Sequence, residues 1–159
     1  MTKPNQTIKM NQVNATLPSN ATLAIASGWN FSGTPTTDLS SSARLYRADG
    51  SMEWVGSSNQ NEHTGVSIEE DIDTSITIAL AELGENVQSV AVRVSSFQGV
   101  RLFGGREAIV RGTVSIEGGE QREFETRYGG NGWSGAQIFE LTRNGDGTWL
   151  LSQTVPSQS

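Results

Sequence analysis

The densest run of ionisable residues in this 159-residue chain is Glu69-Glu70-Asp71-Ile72-Asp73. Carboxylates are the hard oxygen donors that calcium gathers about six to eight at a time. With Asp38 and loop carbonyls completing the shell, Asp38, Glu69, Glu70, Asp71 and Asp73 form a candidate calcium set. The spacing is not that of an EF-hand loop. In an extended strand Glu69, Asp71 and Asp73 alternate onto one face about 7 Å apart, so a single ion about 2.4 Å from each oxygen requires a bend there. The same run also reads as an acidic, solvated strand start that discourages edge-to-edge pairing.

Other chemistry has thinner support. His63 is the only histidine, which excludes a His-rich metal site, and no G-x-S-x-G elbow marks a nucleophilic serine for it to activate. His63 is expected in a solvated loop. Seventeen carboxylates leave room for a carboxylate-based hydrolase, but sequence fixes no distance between any two of them. No cysteine is present, so disulfides, thiolate catalysis and Cys-ligated metals are excluded. Neither G-x-G-x-x-G nor a P-loop occurs. Asn144-Gly145-Asp146-Gly147 resembles a fragment of a calcium loop, yet the apolar runs on both sides make it a turn. Trp149, inside TWLLSQTV, is expected in the core, whereas Trp133 in its Gly-rich segment is a candidate surface contact.

These residues must be positioned by strands. Period-two patterning places Ile76, Ile78 and Leu80 on one face, and Val90, Val92 and Val94 on another. The clearest strands are 42–47, 72–80, 88–97, 108–116, 121–127, 136–142 and 148–155. Asp49-Gly50, Gly118-Gly119 and residues 144–147 supply hairpin turns between them. A helical turn is expected within 79–86, and 128–135 reads as a loop. The pattern is that of an all-β, two-sheet antiparallel sandwich of about eight to ten strands.

Residues 1–20, rich in Asn, Thr, Ser and Gln, read as a polar arm with apolar residues too widely spaced to bury much surface, held if at all by a neighbour. Residues 21–159 then form one sandwich domain. Neither a secretory signal nor an apolar run able to span a bilayer is evident, so a cytoplasmic place, or one inside an assembly such as a virion, is expected. The sequons at Asn5, Asn14, Asn20 and Asn30 follow from the Asn- and Thr-rich composition. A net charge of −6 with scattered cations excludes the basic stripe that nucleic acid needs.

The order of several segments carries a resemblance: LAIASGW from Leu23, TDLSSSARLY from Thr37, HTG followed by acids from His63, SVAVRVSSF, FGGREAIVRGTV, and QIFELTRNGDGTW closing at Trp149. Over about 23–155 this resembles the TerD family of tellurium-resistance and stress-response proteins. The resemblance implies a two-sheet sandwich, calcium-binding loops and no established catalytic centre. It places Asp38 at the first acid of a D-L-D segment, whose second acid is here Ser40, and makes Glu69, Glu70, Asp71 and Asp73 possible ligands of a loop without internal glycine. The expected function is a non-enzymatic binding module of stress or tellurite response, with no cofactor or weakly bound calcium and a protein partner or self-assembly. The alternatives are a structural subunit of a larger assembly, such as a phage virion or decoration protein, and the hydrolase above.

Overall fold

Where apolar residues alternate with Ser and Thr, one side of an extended chain sheds water and the other keeps it, and that pattern builds this fold. In TSITIA, Ile76 and Ile78 are fully buried while Ser75 and Thr77 are half-exposed; in β8, Val90, Val92 and Val94 are sealed in the same way. A computed structural model describes residues 13–29, 39–56, 62–63, 65–70, 74–96, 108–119, 121–128 and 135–154.

The described strands are β1 (Asn14–Leu17), β2 (Thr22–Trp29), β3 (Leu39–Arg47), β4 (Met52–Gly56), β5 (Glu62–His63), β6 (Val66–Glu70), β7 (Thr74–Ala79), β8 (Val87–Ser96), β9 (Ala108–Ile116), β10 (Gln121–Tyr128), β11 (Gly135–Arg143) and β12 (Trp149–Gln153). They form two antiparallel six-stranded sheets, β1-β12-β11-β8-β3-β4 (sheet A) and β10-β9-β2-β7-β6-β5 (sheet B). The protein is thus an all-β sandwich. One turn of 3-10 helix, Leu80–Glu82, leads from β7 toward β8, and Leu80 is buried as its phase predicts.

The inner faces meet in one core, where each fully buried Leu, Ile, Val or Phe contributes about 1.5–3 kcal/mol. Trp149 lies in it with no exposure, as expected. Two devices adjust the packing. A bulge between Gln137 and Phe139 turns the consecutive Ile138 and Phe139 both inward. Opposite Phe124, Gly112 lets β9 approach β2 so closely that a Cβ there would stand 1.7 Å from the Ala26 carbonyl oxygen. Phe124 fills the space beside it and meets Phe139 edge-on at 5.0 Å.

Several expectations need correction. The two-sheet antiparallel sandwich is as expected, with twelve strands among the described residues against the expected eight to ten or so. Val13 and Leu17, assigned to a polar arm, are buried, and β1 pairs with the chain's own β12 through Asn14–Leu17. Two well-placed apolar residues suffice when an existing sheet edge supplies the backbone partners. The strand expected over 72–80 begins at Thr74, and a separate strand, β6, precedes it. Glu69 and Glu70 therefore close a strand rather than start one, and Asp71 and Asp73 lie outside the described residues. His63, expected in a loop, lies in the two-residue β5.

Candidate functional site

Every neighbouring pair of strands is antiparallel, and the registers give the chain a consistent parity. Odd-numbered strands all start at one end of the sandwich and even-numbered strands all finish there. The opposite end carries the short connections: the turns at 18–21, 48–51, 117–119 and 144–148 and the 3-10 segment. Segments 30–38, 57–61, 71–73, 97–107 and 129–134 depart from and return to strand ends at the first, open end. The two longest connections, 30–38 and 97–107, both belong to this end, and long connections on a rigid scaffold concentrate chemical variety.

Beneath that end the two sheets are joined by hydroxyls instead of methyl groups. Thr74 Oγ1, at the start of β7, donates to Ser41 Oγ on β3 of the facing sheet at 2.9 Å. Ser27, cross-strand partner of Thr74, is 2% exposed, and its Oγ meets no hydrogen-bond partner. Ser41 and Thr74 are equally buried. An unpartnered buried hydroxyl costs about 1–3 kcal/mol, so this floor trades stability for polarity. Its signal was present in the sequence: Ser27 continues the phase of Leu23 and Ile25, and Thr74 that of Ile76 and Ile78. Period two read with the polar members included would have found both.

The acids relate to this floor through the chain. Glu69 stands exposed on the outer side of β6, paired with Ser75, so it points away from the hydroxyls. Glu70 ends β6, cross-strand from Thr74. Asp38, Asp71 and Asp73 lie outside the described residues, as do Trp133 and the Glu70 side chain; their neighbours Leu39 and Thr74 begin β3 and β7 on facing sheets. Topology thus brings the flanks of the two acidic segments to one end. Among the described residues no group of three or more His, Cys, Asp or Glu side chains is arranged to hold a metal. No described helix is long and apolar enough to cross a membrane.

At the other end, the Asn144-Gly145-Asp146-Gly147 tract is a turn. Asp146 accepts hydrogen bonds from Thr148 Oγ1 (2.6 Å) and Thr148 N (3.0 Å), and the side-chain bond, then the backbone bond, lowers its pKa. Asp49 repeats the design with Ser51 Oγ and N, with the same direction of shift. Each is followed by a glycine at φ near +90°, the left-handed conformation the turn requires. These carboxylates brace hairpins.

No protein-family model and no curated protein matches the sequence. In structure, the chain is similar to the crystal structure of a protein of unknown function, SAV2460, with a TM-score of 0.61 and 19% identity over 88% of this chain and 93% of that one. At that identity the likeness is one of fold.

Proposed function

We propose that the protein is a non-enzymatic, TerD-like binding module of stress or tellurite response, which meets a protein partner with the open end of its sandwich. The observation that carries this reading is the parity of the strands, which sends five connections to one end above a floor of buried hydroxyls. Calcium contributes weakly or not at all. The D-L-D-like segment offers Ser40 in place of its second acid, and Glu69 faces outward from sheet B, so ligand charge is short on both sides.

Calcium titration of the 15N-labelled full chain in low salt tests this by NMR. Shifts should be absent or saturate only in the millimolar range, and any that occur should centre on Leu39, Ser41, Glu70 and Thr74. Submicromolar binding abolished by Asp71→Asn or Asp73→Asn would overturn the weak-calcium reading. Shifts centred on Asp49 and Asp146 would overturn the choice of end.

The structural-subunit reading keeps one supporting observation. All four large hydrophobic side chains that stand exposed among the described residues, Tyr46, Met52, Trp54 and Leu150, lie on the outer face of sheet A.

A further inference from the structure

The outer face of sheet A can be laid out from its registers. Across the strands in the order β4, β3, β8, β11, β12, one row of outward side chains runs Met52, Tyr46, Ser89, Thr142, Leu150. The next row runs Trp54, Arg44, Ala91, Glu140, Ser152. The centre of the second row is a small residue, Ala91, only 5% exposed between its neighbours. An arginine stands one strand to its left and a glutamate one strand to its right, and exposed apolar side chains occupy both flanks of the row above.

This arrangement is complementary to itself. A two-fold axis laid along β8 over Ala91 exchanges left and right while keeping position along the strand. Arg44 of one copy then stands over Glu140 of the other, twice. The same operation sets Met52 over Leu150 and Tyr46 over Thr142, again twice, while Trp54 covers Ser152. Two-sheet packings align to within about 30°, so the central charge pairs, one strand spacing of about 4.8 Å from the axis, shift little, and the outer Met and Leu are long enough to follow.

We infer that the outer face of sheet A is an isologous interface with a second copy of this chain. Three further features support a second copy over any other occupant. A two-fold interface requires one patch to be its own partner, and these two rows are so in apolar contact and in the Arg44–Glu140 pairs, while Arg93, in the next row of β8, meets its own copy on the axis. Its composition, with Trp, Tyr, Met and Arg together, is the set enriched in interface cores. Its size also fits: the five strands that the axis pairs, at about 4.8 Å spacing and about 25 Å mean length, give a face of roughly 600 Å², approaching the ~800 Å² that each partner contributes to a standard interface. The outer face of sheet B has no comparable character; its described apolar residues are Ala24, Ala26 and Ala79, beside Thr22, Ser75, Thr77, Thr113 and Ser115. The interface leaves the open end of the sandwich uncovered, so it stands independently of the function proposed above.

Charge reversal decides it. Sedimentation equilibrium of the full chain, from micromolar to hundreds of micromolar, should show a monomer–dimer equilibrium. Arg44→Glu places two glutamates over each other in both contacts, and Glu140→Arg two arginines, so each variant alone should weaken the dimer about tenfold or more. An equimolar mixture restores opposite charges at both contacts and should recover the dimer to near the wild-type level. Thermal melts of each variant, unchanged from wild type, establish that both are folded. A wild type that is monomeric throughout overturns the inference. So do single variants that dimerise as well as wild type, which would place the interface elsewhere, and a mixture that stays monomeric.

Discussion

A single methyl group at position 112 should unsettle this protein more than most core truncations. The Cβ of Gly112→Ala would lie 1.7 Å from the Ala26 carbonyl oxygen, and backbone, unlike a flexible side chain, cannot swing aside. The expected cost is about 3 kcal/mol or more, read from denaturant midpoints, whereas Gly145→Ala, with nothing within 4 Å, should stay within about 0.5 kcal/mol. A Gly112→Ala protein as stable as wild type would mean that β2 and β9 can separate freely. The turn aspartates give a second residue-scale expectation. Their folded pKa values are depressed, so their contribution is complete above the ordinary value of 3.8 and is lost as pH falls through the folded value. The Ser51 and Thr148 amide protons should therefore titrate by NMR with midpoints below 3.8, and Ser51→Ala or Thr148→Val should raise them. Midpoints at or above 3.8 in the wild type would remove the proposed bracing. Both turns were legible in the sequence, because Asp-Gly followed by Ser or Thr states the conformation and the brace within four residues. Gly112 was not, since its reason is the carbonyl of a strand more than eighty residues away.

Strands with unbroken alternation, such as β8 and β9, were legible almost to the residue. Those that failed to announce themselves draw their stability from neighbours. β4 exposes Met52 and Trp54 and buries Val55, inverting the usual contrast, while its inward Glu53 is answered by Arg47. β1 offers little beyond Val13 and Leu17, and the rest of its hold comes from other elements. Gln153 accepts from Val13 N at 3.0 Å, and its Nε2 reaches Thr126 Oγ1 and the Glu125 carbonyl of sheet B. Arg122 adds a bond to the Asn14 carbonyl from the same sheet. A chain starting at Ala21 should thus lose about 3 kcal/mol or more, from two buried side chains at about 1.5–3 kcal/mol each, and its β12 amides should exchange faster. An unchanged denaturation midpoint would show β1 to be ornamental.

At the scale of the whole molecule, the two-layer class followed from patterning, but the order of strands within each layer did not. That order decides which residues meet. The acids before β3 and before β7 were conspicuous as composition, yet their common end depends on β2 and β7 pairing in sheet B while β3 faces them from sheet A. The self-complementary rows of sheet A were equally hidden, since Arg44, Ala91 and Glu140 become neighbours only through non-local pairing. One such pairing sets a timetable. Of the described strands β1 is synthesised first, but the one it pairs with, β12, comes last among them, with Asn14 opposite Ser152. At about 5–20 residues per second, roughly 135 residues of synthesis leave Val13 and Leu17 waiting about seven to thirty seconds on the ribosome before their place in the core exists. The Asn-, Thr- and Ser-rich residues around them leave a nascent chain few apolar side chains to aggregate through during that wait.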